Sequence, residues 1–146
     1  MTYRTLYHIT PRSNYRSIKA HGLVSHLRRG LGFAGRGHTE SEYEKLYKGT
    51  YLAFYPEDIL WMADNSYRLE GGPRLWALLR IDLPFNSNIT FFNAPEAPMF
   101  KGSSSPKDEY HLEQEPAYCW YITRTYIPPK YIKLVGFYDA KTGELS

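Results

Sequence analysis

His8 stands near the end of a run in which apolar and polar residues alternate, with Thr10 two places on. A neutral imidazole presents one donor and one acceptor, so it can pair with a sugar hydroxyl. Arg28, Arg29 and Arg36 follow, interleaved with Gly30, Gly32, Gly35 and Gly37. Guanidinium groups pair bidentately with phosphate, and glycines let the backbone approach a ligand closely. Glu113 and Glu115 would point their carboxylates the same way on an extended chain. His21 reads differently, because it precedes Gly22 at a helix end and complements the helix dipole there. No metal site is expected: the five histidines are scattered, and none pairs with a carboxylate at ligand spacing.

The elements that must position these groups follow from periodicity. Tyr3, Thr5, Tyr7 and Ile9 share one face of an expected strand, and Leu6 and His8 the other. Thr10-Pro11 should end it. Ser13 or Asn14 is suited to cap a short helix carrying Tyr15, Ile18 and Leu23, with Gly22 as its left-handed stop. Residues 24–49 read as an irregular loop, with a helical turn at Ser41 to Tyr47. Gly49 to Phe54 reads as a buried strand holding Tyr51. Pro56 then starts a helix whose face carries Ile59, Leu60, Ala63 and Tyr67. Gly71-Gly72-Pro73 breaks that helix. Strands are expected at Leu75 to Leu83, Asn88 to Phe92, Tyr118 to Tyr126 and Ile132 to Tyr138, with a loop over 93–109. Early helices and late strands make an α+β pattern in one domain over 1–146.

Composition bounds the rest. Hydrophobic residues make up 42% and aromatics 16%, with 14 tyrosines, which excludes a disordered chain. Cys119 is the one cysteine, so no disulfide can form within the chain. No apolar run approaches the roughly 20 residues of a membrane span, and the first residues lack a signal-type apolar core. A soluble cytoplasmic protein is the expectation. The net charge of +3 hides an asymmetry: residues 1–39 hold seven basic residues and no acidic one, the first being Glu40. Such a segment is either a solvated face or a site for phosphates of a dinucleotide or a nucleic acid.

The stretch Leu6-Tyr7-His8-Ile9-Thr10, with Asn14-Tyr15-Arg16-Ser17-Ile18-Lys19-Ala20-His21-Gly22-Leu23, resembles the opening of the ADP-ribosyltransferases of the diphtheria-toxin-like branch. Among these it looks most like the DarT-like enzymes, which modify DNA bases. Gly49-Thr50-Tyr51-Leu52-Ala53-Phe54 is similar to the family's Gly-x-Tyr strand, and Ile127-Pro128-Pro129-Lys130-Tyr131-Ile132 to its final turn and strand. The resemblance implies an ADP-ribosyltransferase-like fold of two packed, mostly antiparallel sheets with a few short helices. It implies NAD as co-substrate and no metal. His8 would hold the adenosine ribose, and Thr10 the nicotinamide amide. Tyr51 would stack on the nicotinamide ring with Tyr67 as a second aromatic, and Arg28, Arg29 and Arg36 would face pyrophosphate. The catalytic carboxylate, which steadies positive charge developing on the ribose, would be Glu115, with Glu113 second and Asp108 and Glu109 further candidates. At this point the sequence departs from the pattern: an ungapped match places Tyr118 or Cys119 where the family has its glutamate.

The implied activity is mono-ADP-ribosyl transfer from NAD to a macromolecule, with a nucleic-acid base (DNA or RNA) favoured as acceptor. Family habit adds a toxin of a bacterial or phage conflict system, with an antitoxin or immunity protein as partner. A protein acceptor is one alternative. An RNA 2′-phosphotransferase using the same arginines is another, and a non-catalytic nucleic-acid-binding module with interleaved arginine and tyrosine is a third.

Overall fold

The computed structural model describes residues 2–23, 49–93, 109–110, 112 and 120–146. Among these the fold is α+β. Strand β1 (Tyr3–Pro11) leads through a 3-10 turn at Arg12–Asn14 into helix α1 (Tyr15–His21). Then come β2 (Thr50–Ala53), helix α2 (Pro56–Glu70) and β3 (Leu75–Pro84). The strands β4 (Phe91–Asn93), β5 (Glu109–Tyr110), β6 (Trp120–Thr123), β7 (Ile132–Asp139) and β8 (Glu144–Leu145) complete the described elements.

All eight strands join in one antiparallel sheet, in the order β5-β4-β6-β2-β1-β3-β7-β8. This corrects the expectation of two separate packed sheets. The reason is local: backbone pairing of Tyr7 with Ala53 links β1 to β2 and makes the two halves continuous. The link is narrow. On its other side β1 pairs with β3 all the way from Tyr3↔Pro84 to Pro11↔Trp76. The molecule is therefore two half-sheets meeting at a seam one residue pair wide.

The sheet curls strongly. Leu112 lies just after β5, four places from β1 in the sheet, so a flat arrangement would separate them by roughly 19 Å. Yet Arg4 on β1 donates from Nε to the Leu112 carbonyl at 2.8 Å. The Arg4 guanidinium also lies 5.7 Å from the Phe54 ring and 5.8 Å from that of Phe85. Inside the curl, Leu6, Leu52, Leu79, Ile81, Leu83, Phe91 and Tyr121 pack together with Ile18 of α1. On the other face, Ile9, Tyr51, Ala53, Trp76, Leu78, Trp120 and Ile122 pack under Ile59 and Ala63 of α2. The strict alternation along β1 and β3 feeds the two cores from opposite sides of the same strands.

Sequence rules account for most boundaries. Helix α2 has Pro56 at its start, Glu57 and Asp58 in its first turn and Arg68 in its last, all favourable to the helix dipole. It stops at Gly71, whose φ of 67° is left-handed. Its buried side carries Ile59, Ala63, Asn65 and Ser66, while Tyr67 is half-buried. The face is turned toward Ser66 because the chain returns there: the Gly72 amide donates to the Ser66 carbonyl at 2.8 Å.

Other boundaries depart from expectation. Strand β1 runs on through Pro11, because at a strand's last position the missing amide costs no ladder bond. Asn14 stands at the helix N-cap position without a side-chain cap; its amide donates instead to Thr10 Oγ1 at 3.2 Å. The strand expected at Asn88 to Phe92 starts only at Phe91, and the one expected from Tyr118 to Tyr126 is described over Trp120–Thr123. Strands β5 and β8 were not expected; each is two residues long and owes its existence to its neighbour. The expected loop with its helical turn lies outside the described residues except for Gly49, and so does most of 93–109.

Candidate functional site

The seam is where the fold places the first group of interest. Beyond the Tyr7–Ala53 pair the β1–β2 ladder stops, and a buried carbonyl on β2 needs another donor. The imidazole of His8 supplies it: Nδ1 lies 2.8 Å from the Tyr51 backbone oxygen. A carbonyl only accepts, so Nδ1 carries the proton. A neutral ring then has its acceptor at Nε2, which suits a hydroxyl donor. His8 is half-buried and rises from the middle of a nine-residue strand, a rigid base for an oriented ring.

Two of the expected ligand-binding residues are thus joined, through the side chain of one and the backbone of the other. Their side chains leave opposite faces of the sheet. His8 follows the inner face with Leu6, whereas the Tyr51 ring is packed with Ile9 and Ala53 in the core beneath α2, 9% exposed. Gly49 begins this strand with a φ of 141°. A Cβ there would come within 2.8 Å of the Thr123 carbonyl, so the close approach of β2 to β6 requires glycine.

Thr10 is 4% exposed, and its hydroxyl accepts the hydrogen bond from Asn14. Tyr67 lies half-buried on α2. Arg28, Arg29, Arg36, Glu113, Glu115, Asp108 and Cys119 lie outside the described residues; Glu109 is described as a backbone position in β5.

The structure adds groups that sequence reasoning passed over. Trp120 on β6 donates its indole N–H to the Asp58 carbonyl at 3.0 Å and stacks, tilted, on Trp61 at 5.3 Å. This ties the start of α2 to the strand beside Tyr51. The Asp58 carboxyl is pushed above its ordinary range, first by burial and then by the neighbouring charge of Glu57. A half-buried carboxylate thus stands on the Tyr51 side of the sheet. Its only signal in the sequence is the acidic first turn after Pro56, which reads equally as helix capping.

Among the described residues, no group of His, Cys, Asp and Glu is arranged to hold a metal ion, and no helix is long and apolar enough to cross a membrane. Compared with known families, characterised proteins and solved structures, the chain matches none.

Proposed function

We propose that the chain is an NAD-dependent mono-ADP-ribosyltransferase whose acceptor is a base of a nucleic acid. The observation that carries the reading is the His8–Tyr51 contact at the seam. Where the sheet narrows to one residue pair, the half-buried His8 side chain takes over the pairing of the neighbouring strand. There His8 is held in a single tautomer, as a ribose-binding histidine needs to be.

NAD supplies the ADP-ribose group, with nicotinamide as its leaving group. In the transfer, the glycosidic bond to nicotinamide breaks and its electron pair leaves with the ring. The acceptor atom forms the new bond and releases its proton. His8 fits the ribose best among the residues assigned to NAD. Tyr51 fits as a ring buried beside the seam rather than as an open platform. Thr10 fits less well, since Asn14 already engages its hydroxyl.

Incubation with NAD, and in turn with single-stranded DNA, RNA and cell lysate, tests the reading. Mass spectrometry should show free nicotinamide and a gain of ADP-ribose on one acceptor. No nicotinamide release under any of these conditions would overturn it. Glu115→Ala and Glu113→Ala then decide which carboxylate acts; full activity in both would move the role to another acidic residue, of which Asp58 is the first to replace.

A further inference from the structure

The exposed side of α1 and the turn before it carries basic residues among Ser13, Ser17 and Ala20, and no acidic one. Arg12, Arg16, Lys19 and His21 are all exposed, and neither the 3-10 turn nor α1 contains a carboxylate. Arg16 and Lys19 are three apart and share one helix face. Arg12 is held in place from beneath: its guanidinium lies 4.6 Å above the Phe137 ring, and Tyr15 meets that ring edge-on at 5.9 Å. A guanidinium stacked on one side keeps its N–H edge for phosphate.

The row continues across a second element. Leu23 and Ile127 pair as an isolated antiparallel bridge, with N–H···O distances of 2.9 and 3.1 Å. This brings the C-terminal end of α1 against Tyr126 and the 3-10 turn at Pro129–Tyr131. The approach is so close that a Cβ on Gly22 would lie 2.9 Å from the Tyr126 ring. Tyr126 is 48% exposed. Beside it Lys130 is exposed, with its ammonium 5.1 Å from the Tyr131 ring. Asp139, two residues beyond Phe137 on β7 and so near the Arg12 end, is already engaged by Arg74 at 2.6 Å.

We infer that this surface is a binding track for single-stranded nucleic acid, with Arg12, Arg16, Lys19 and Lys130 on phosphates and Tyr126 stacking a base. A row of cations ending in an exposed ring matches the alternation of phosphate and base along a single strand. It does not match an acidic peptide, which offers no planar group for Tyr126. The inference rests on the proposed nucleic-acid acceptor and places it: the strand would run along α1, which directly follows the strand that carries His8.

The test is fluorescence anisotropy of the full chain with a labelled mixed-sequence oligonucleotide, as single-stranded DNA, single-stranded RNA and blunt duplex, at several salt concentrations without NAD. Single strands should bind with a steep salt dependence. Arg16→Ala/Lys19→Ala should flatten the slope of log K against log salt by about 1.4, since each phosphate contact contributes about 0.7. Tyr126→Ala should weaken binding on the order of tenfold at constant slope. The charge-preserving Arg16→Lys/Lys19→Arg should keep the wild-type slope, as should Arg68→Ala on α2, which packs on the opposite face of the sheet from α1. No binding by the wild type, an unchanged slope in the double alanine variant, or equal affinity for duplex would overturn the track. Because NAD is absent from this assay, failure here leaves nicotinamide release intact, and failure of nicotinamide release leaves this result readable.

Discussion

The imidazole Nδ1 of His8 and the backbone oxygen of Tyr51 lie 2.8 Å apart, across the point where the β1–β2 ladder gives out. One side chain thus completes the hydrogen bonding of the neighbouring strand and fixes its own orientation in doing so. The two roles can be separated by experiment.

Replacement His8→Ala leaves the Tyr51 carbonyl without that donor and should destabilise the fold by about 1–3 kcal/mol. His8→Gln can still donate from its amide and should recover part of that stability, as read by urea denaturation. If His8 also holds ribose, NAD affinity should fall in both variants beyond what the stability loss explains. Isothermal titration with NAD on the folded fraction checks this. Unchanged affinity in a folded His8 variant would confine the residue to the structural role.

Gly22 ends α1 with φ of 83° and ψ of −170°, an extended positive-φ conformation rather than the left-handed helical one expected of it. Its missing Cβ also leaves room for the Ile127 carbonyl and the Tyr126 ring. Gly22→Ala should cost about 1–3 kcal/mol for the backbone conformation alone, and more through the clash. Thermal unfolding should show the loss. A variant as stable as the parent would mean that the α1 end is not packed against Tyr126 as described.

Tyr138 donates its hydroxyl to Asp64 Oδ1 at 2.7 Å, in the core beneath α2. Burial, and then this hydrogen bond, push the phenol up to about 12. A raised folded value means that the neutral phenol's contribution is complete below the ordinary value of 10 and is lost as pH rises through 12. Stability should therefore decline over that window, and the decline should shrink in Tyr138→Phe. That variant should be less stable at neutral pH by about 1–2 kcal/mol for the lost bond. Denaturant titrations at stepped pH measure both.

Asp139 receives Arg74 in a bidentate contact at 2.6 and 2.9 Å, and the backbone amides of Lys141 and Thr142 donate to it as well. Chiefly through the Arg74 hydrogen bonds, its carboxyl is held at about 2 against an ordinary 3.8. A lowered folded value means the contribution is present above 3.8 and disappears as pH falls toward 2. Part of the acid sensitivity over that range should vanish in Asp139→Asn. Solvent and salt screen so exposed a pair, so the effect at neutral pH should be small. Thermal midpoints between pH 2 and 5 test the sign.

The sequence by itself determined the elements with strong local signals. The alternation from Tyr3 to Ile9, the apolar run at 75–83 and the Pro56 to Gly71 helix with its terminal signals all appear, because each is set by its own residues. The glycine end of α1 at Gly22 and the His8 strand before it were legible for the same reason, although Gly22 takes an extended positive-φ conformation. What only the tertiary structure decided depends on partners distant in the chain. The short strands β5 and β8 form because a neighbour offers an edge. The continuity of the sheet hangs on the Tyr7–Ala53 pair, which no periodicity reveals. Tyr51 and Tyr67 read as two rings for one ligand, yet the register packs the first into the core beneath α2, while the second is half-buried on α2 itself. Residue types name what a side chain can do; the register of one strand against the next decides which face it does it on.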